Sequence, residues 1–250
     1  MRILLLADSK PGVFVSKFLK EQKENITGLC LHDKKYQNNS DEIIKNLELN
    51  DKNIFCVKNI KSMETLEFVK KSNPDIILSI YWRYILPETI IDLPKYGCVN
   101  YHPAFLPYNR GKNPNFWPII EETPAGVSLH YIDSGIDTGK VISQKKVFVE
   151  PVDTGGSLYK KLEIAFKDLF IETWPMIKKN DLKLEEQNLS EGTFHYSKDF
   201  NNVGLINLNQ KYKASDLINL LRAKTFPGKP GAYFLDNGKK IYLKLELSYE

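Results

Sequence analysis

Short apolar runs separated by polar, breaker-rich stretches set the rhythm of the first hundred residues. Ile3 to Ala7, Ile26 to Leu31, Ile54 to Val57 and Asp75 to Ile80 are nearly continuous in apolar character and too short for helices, which predicts buried β-strands. Between them, Val13 to Leu19 and Met63 to Lys70 place apolar residues at helical spacing, the first after the breaker cluster Asp8-Ser9-Lys10-Pro11-Gly12. Strands that are apolar on both faces and alternate with helices predict an α/β chain, with a mostly parallel, Rossmann-like sheet and helices on both faces. In such sheets the ligand crevice lies beyond the carboxyl ends of the strands.

The pattern changes after residue 97. Cys98-Val99-Asn100-Tyr101-His102-Pro103 starts apolar and ends polar, and alternate residues of an extended strand share a face. Asn100 and His102 therefore point the same way. A helix is predicted from about Pro114 to Glu121, a strand over Gly126 to Asp133 and its antiparallel partner over Lys140 to Val149. The connection Asp133 to Gly139 holds two glycines and two aspartates, a composition suited to a tight, shaped loop able to bring Asp137 near His102. Ser157 to Lys178 carries Leu158, Leu162, Phe166, Leu169 and Phe170 at helical spacing. Beyond Asp181 the chain turns polar, and Asp199 to Asn209 shows no clear period. Ala214 to Lys224 then reads as a helix and Ala232 to Leu243 as a hairpin turning at Asn237-Gly238. This divides the chain into a main domain over 1–180, a linker over 181–205 and a small helix-plus-hairpin subdomain over 206–250.

Composition narrows the function classes. In 250 residues, 35 Lys and Arg against 31 Asp and Glu give a net charge of +4, which suits an anionic small substrate and lacks the clustered basic signature of a nucleic-acid binder. Cys30, Cys56 and Cys98 each sit in a strand-like run with no CxxC, which predicts reduced core thiols and a cytoplasmic location. The apolar run at Met1 to Asp8 is too short for a signal peptide or a membrane span. No GxGxxG follows the first strand, and there is no Walker A, HxH, HExxH or Cys/His ligand spacing, which argues against dinucleotide, P-loop and metal chemistry.

What remains is an amide, an imidazole and a carboxylate, enough to polarise a carbonyl, move a proton and hold the imidazole in one tautomer. The aromatic segment after the fourth strand, with Trp82 and Tyr84, reads either as the wall of a flat heterocycle's pocket or as a core-closing cluster. Lys10 reads equally as a phosphate contact and as a surface lysine. The loop Phe105 to Trp117, dense in Pro, Asn and Gly and carrying two cations, is of the kind that holds substrates. His130 reads as a histidine packed in or beside the sheet rather than one that acts.

Asn100-x-His102, Leu106-Pro107, Arg110-Gly111, Gly126-Val127 and Asp133-x-Gly135-x-Asp137-x-Gly139 together resemble the signature of formyltransferases that use 10-formyltetrahydrofolate. That family includes methionyl-tRNA, glycinamide ribonucleotide and sugar N-formyltransferases, and the resemblance covers about Met1 to Lys178. It implies that Asn100, His102 and Asp137 form the catalytic triad, with 10-formyltetrahydrofolate as co-substrate and no metal. It also implies that the folate pterin lies against Trp82, Tyr84, Ile85, Leu86 and Pro87 and against Asp133 and Gly135. The segments His102 to Trp117 and Leu221 to Pro227 look most like enzymes acting on nucleotide-linked 4-amino or 3-amino deoxysugars, a dTDP-4-amino-4,6-dideoxyglucose for example. On that resemblance Lys10, Tyr108, Asn109, Arg110, Lys112 and Arg222 contact the nucleotide sugar, no nucleic acid or membrane is involved, and the chain forms a homodimer. A methionyl-tRNA enzyme, expected to carry a larger and more basic carboxyl-terminal barrel, and a hydrolase releasing formate to water are the alternatives.

Overall fold

The computed structural model describes residues 1–250. The first half alternates as β1 (Arg2–Ala7), α1 (Ser9–Glu21), β2 (Asn25–His32), α2 (Ser40–Leu47), β3 (Ile54–Val57), α3 (Met63–Ser72), β4 (Ile76–Ile80), α4 (Glu88–Ile91) and β5 (Cys98–His102). Then come β6 (Arg110–Gly111), α5 (Trp117–Glu121), β7 (Ala125–Tyr131), β8 (Val141–Val147) and the long α6 (Gly155–Lys179). The remainder is β9 (Phe194–His195), α7 (Ser197–Asn202), α8 (Ala214–Lys224), β10 (Ala232–Asp236) and β11 (Lys239–Leu243).

Seven strands form one sheet in the order β3-β2-β1-β4-β5-β7-β8. The β1–β2, β2–β3, β1–β4 and β4–β5 pairs are all parallel, so the sheet is mostly parallel and Rossmann-like, as the apolar runs predict. Its core is the apolar strand interior, Leu4, Leu6, Cys30, Val57, Ile77 and Cys98 among others. The strand order reverses between β1 and β4, and the carboxyl ends flanking that point deliver Asp8, Tyr81 and the polar end of β5 to one edge.

The chain folds into two compact units that interleave along the sequence. Met1–His102, Leu129–Ser143 and Lys167–Gln187 form the first, and Pro103–Ser128, Gln144–Phe166 and Asn188–Glu250 the second. Within the second, β6 pairs in parallel with β9, and β10 and β11 form the antiparallel hairpin that Asn237-Gly238 predicts. The loop after β5 is pinned there by Ser128, whose hydroxyl donates to Ala104 O at 2.6 Å and accepts from Leu106 N and from Gln144 Nε2. Trp117 stacks flat on His195 with ring centroids 3.7 Å apart.

Three local expectations fail for identifiable reasons. Cys56 is exposed rather than in the core, because β3 is the edge strand of the sheet and Cys56 lies on its open side. The helix expected from Pro114 begins at Trp117, because residues 113–116 close a separate turn in which Phe116 N–H donates to Asn113 O at 2.9 Å and Asn113 takes a left-handed φ of 59°. The stretch without a period, 199–209, begins inside the short helix α7, which is held by Asp199 Oδ2 accepting from Tyr196 N–H and by an edge-on contact of Phe200 with Phe116. Cys30 and Cys98 are buried, all three thiols are free, and no helix is long and apolar enough to cross a membrane.

Candidate active site

Register builds the site. Ser79 on β4 pairs with Asn100 on β5, and the Ser79 hydroxyl donates to Asn100 Oδ1 at 2.9 Å. Two residues on, along the same face, His102 is 5% exposed. His130 on β7 is 1% exposed, with Nε2 3.1 Å from Asn100 Nδ2 and Nδ1 2.8 Å from the Tyr131 carbonyl oxygen.

The Asp133 to Gly139 loop supplies the carboxylate. Asp133 Oδ1 accepts from Gly135 N–H at 3.1 Å and from the Thr138 hydroxyl at 2.7 Å, closing the turn on itself. Gly139 is required because a Cβ there would meet the Tyr131 carbonyl. Gln187 braces the far side, donating to Asp137 O at 2.9 Å and Gly139 O at 2.7 Å. Asp137 itself sits at φ 54°, a left-handed conformation that Asp tolerates better than most residues. Its carboxylate lies between two imidazoles: Oδ2 is 3.6 Å from His102 Nδ1 and Oδ1 is 3.7 Å from His130 Nε2. Contacts of this length are common in unliganded catalytic sites and shorten when substrate binds.

The two histidines differ electrostatically. Burial, the largest influence, pushes His130 down to about 4, against the upward pull of Asp137 and with a further downward push from His102. At neutral pH His130 is uncharged, which leaves Asp137 to act on His102. The assembly offers an amide N–H donor, an imidazole and a carboxylate that orients it, the groups needed to stabilise an oxyanion and relay a proton.

Other expected contacts fall as follows. Trp82 stacks on His32 at 4.4 Å and meets Tyr84 edge-on, the Tyr84 hydroxyl donates to Val57 O, Leu86 is in the core and Ile85 is 64% exposed. Pro87 precedes α4 as its N-cap residue. Lys10 lies exposed in the first turn of α1. In the second unit, Asn109 is buried, its N–H bonded to Thr193 Oγ1 and its carboxamide to Thr123 Oγ1. Tyr108 and Arg110 are half-buried, and Lys112 is exposed. Arg222 is 9% exposed and its guanidinium donates to Asn219 Oδ1 and to the carbonyls of Glu150, Pro151 and Asp153. That is the pattern of a strut between α8 and the turn before α6. No group of three or more His, Cys, Asp or Glu side chains is placed to hold a metal ion.

Ser79 and Gln187 lie outside the residues the sequence pattern points to, and His130 is packed in the sheet as its apolar strand predicts. Ser79 carried a signal, as the lone polar residue inside Ile76-Ile77-Leu78-Ser79-Ile80. Gln187, fifty residues from the loop it braces, carried none.

Comparison with known proteins settles the class. The formyl transferase family model matches residues 8–173, and an N-formyltransferase dimerization C-terminal domain matches residues 199–249. The chain belongs to the formyl transferase family. Among curated relatives it is 39% identical over 200 residues to the bifunctional polymyxin resistance protein ArnA of Wigglesworthia glossinidia brevipalpis, a match covering 79% of this chain and 30% of that one. It is 32% identical to the dTDP-4-amino-4,6-dideoxyglucose formyltransferase of Mycobacterium bovis, over 70% of this chain and 74% of that one. The match to the methionyl-tRNA formyltransferase of Agathobacter rectalis is 34% identical and covers 74% of this chain but 59% of the relative. The fold of a 4-N formyltransferase from Francisella tularensis superposes with a TM-score of 0.84 at 26% identity, over 100% of this chain and 98% of that one. A sugar N-formyltransferase from a Shewanella species superposes at 0.86 with 23% identity, over 100% and 99%. The chain spans under a third of the ArnA relative's length and about three quarters of the Mycobacterium bovis relative's.

Proposed function

We propose that this formyl transferase family member transfers the formyl group of 10-formyltetrahydrofolate to the amine of a nucleotide-linked amino deoxysugar of the dTDP-4-amino-4,6-dideoxyglucose type. The single observation that carries this is the convergence of Asn100, His102 and Asp137 at the carboxyl edge of the sheet, with Asp137 Oδ2 3.6 Å from His102 Nδ1. A neutral sugar amine attacks the formyl carbon and the carbonyl oxygen becomes an oxyanion. Asn100 and the His102 imidazolium donate to that oxygen, and Asp137 holds the imidazole. Collapse of the intermediate expels the folate nitrogen, and the proton lost by the attacking amine reaches the leaving nitrogen. The assigned folate contacts are Trp82, Tyr84, Leu86, Pro87 and the Asp133 to Asp137 loop. Tyr108, Arg110 and Lys112 are assigned to the nucleotide, while the internal bonding of Arg222 favours a structural role. A main domain over 1–180 and a tail over 206–250 that pairs two chains into a homodimer complete the reading, supported by the dimerization-domain match at residues 199–249. Cytoplasmic synthesis of surface polysaccharide such as O-antigen is the setting that fits this substrate class.

The acceptor is favoured by the full-length match to the Francisella 4-N formyltransferase fold. Purified protein incubated with 10-formyltetrahydrofolate and a panel of dTDP- and UDP-linked amino sugars is expected to release tetrahydrofolate with at least one of them. Turnover only with charged initiator tRNA, or formate release with no amine, overturns the acceptor assignment.

A further inference from the structure

We propose that Ser79 and His130 are positioning residues that lock the Asn100 carboxamide with an N–H, rather than its carbonyl oxygen, toward the reacting oxygen; this deepens the formyl-transfer reading and rests on it. A primary amide has two orientations of nearly the same shape, and only one presents a donor to an oxyanion. The site chooses between them by hydrogen-bond logic that closes without ambiguity.

The Tyr131 carbonyl can only accept. His130 Nδ1, 2.8 Å away, must therefore carry the ring's proton. His130 Nε2 is then a lone pair, and only an N–H can face it, so the nitrogen of the Asn100 carboxamide lies on that side at 3.1 Å. The carboxamide oxygen is left facing Ser79, whose hydroxyl donates to it at 2.9 Å. One amide hydrogen goes to His130, and the second is available for substrate. Flipping the amide would set the Asn100 oxygen against the Nε2 lone pair and forfeit the hydrogen bond, a penalty that burial makes severe.

The lock requires an uncharged His130. Protonation of Nε2 would place N–H against N–H and would set His130 against His102 for the Asp137 carboxylate that lies between them. The charged and titratable groups facing His130 are Asp137, Asp133 and His102, and burial outweighs the two carboxylates to keep the ring neutral. The two imidazoles thus divide the work. His102 meets the reacting atoms, and His130 acts on them through the Asn100 carboxamide.

Two measurements test this. In protein labelled with ¹⁵N-histidine, the His130 ring, assigned by its disappearance in His130→Phe, is expected as the Nδ1–H tautomer at pH 7 and unchanged down to about pH 5. An Nε2–H tautomer or an imidazolium overturns the proposal whether or not any substrate is turned over. Kinetically, since loss of an oxyanion donor costs roughly 10²–10³ in rate, His130→Phe is expected to lower kcat by about 10- to 100-fold with KM for both substrates little changed. His130→Gln, which restores an acceptor, is expected to recover most of that loss. In the Asn100→Ala background, His130→Phe and Ser79→Ala are expected to cost nothing further. Equal losses with and without Asn100 would mean a merely structural role and overturn the proposal. Inactivity of the wild-type protein toward every amine would instead sink the formyl-transfer reading and leave the tautomer result to decide this one.

Discussion

Two aspartates of the first unit sit beside buried histidines at the carboxyl ends of strands, and they have opposite fates. At the ends of β1 and β2, Asp8 accepts from Asn38 N–H at 2.8 Å, from Asn38 Nδ2 at 3.3 Å and from the Ser9 hydroxyl at 3.1 Å. His32 lies with Nδ1 3.5 Å from Asp8 Oδ2, accepts from Arg83 N–H at Nε2 and has one ring face covered by Trp82. Burial pushes the Asp8 carboxyl up, but the bonds from His32 and Asn38 outweigh it and hold Asp8 below its ordinary value. The other pair, His102 with Asp137, is bordered by a half-buried Asn100 that keeps one amide hydrogen for a guest. The same two residue types therefore make a structural clamp when the carboxylate is tied to backbone and side-chain donors of its own unit, and a reactive site when a neighbouring amide hydrogen is left for substrate.

The largest effect that would sharpen this contrast is on rate. Asn100→Ala and His102→Asn are each expected to lower kcat/KM by roughly 10²–10³, a loss read by tetrahydrofolate release in protein that calorimetry shows still folded. A rate within threefold of wild type would break the assignment of the site. Next in size is the acid response. His130 is pushed down to about 4 in the folded protein, so the unfolded chain binds a proton first as pH falls below about 6.5. Stability is therefore expected to decline between about pH 6.5 and pH 4, by up to about 3 kcal/mol from this group. Urea titrations across that window should show a shallower decline in His130→Phe, and parallel slopes would refute the buried neutral histidine.

Asp8→Ala is expected to do the reverse of the triad variants. It strips the acceptor from the Asn38 N–H and should cost about 1–3 kcal/mol of stability while kcat stays within a few-fold of wild type. An unchanged midpoint with lost activity would erase the distinction between the two pairs. The smallest effect is expected of Gln37→Ala, which removes the 2.7 Å bond to the His32 carbonyl and should cost about 1 kcal/mol with no change in rate, measured by denaturant midpoint.

Much of this architecture is written in local pattern. The apolar runs of β1 to β4 and the alternation that sets Asn100 and His102 on one face are short-range signals, and Asn237-Gly238 marks the last hairpin unaided. What stayed hidden depends on neighbours distant in the chain. His130 looked like packing because a buried histidine on an apolar strand looks the same whether its partner is a water-filled gap or the carboxamide of Asn100. Ser79 matters only through the register of β4 against β5, and Gln187 only because the end of the first unit returns beside the Asp137 loop. Arg222, read from sequence as a cation for substrate, turns out to be bonded to three carbonyls of one turn, a use that charge alone does not reveal. Cys56 failed as a core thiol because edge-strand status is a property of the sheet, not of the run.

The most direct test of formyl transfer at this site follows the carbon itself. With 10-[¹³C]formyltetrahydrofolate and dTDP-4-amino-4,6-dideoxyglucose, the wild-type protein is expected to produce a ¹³C formamide resonance on the sugar, and Asn100→Ala to produce it at least a hundredfold more slowly. Appearance of ¹³C-formate in place of the formamide, or equal rates in the two proteins, would contradict the account.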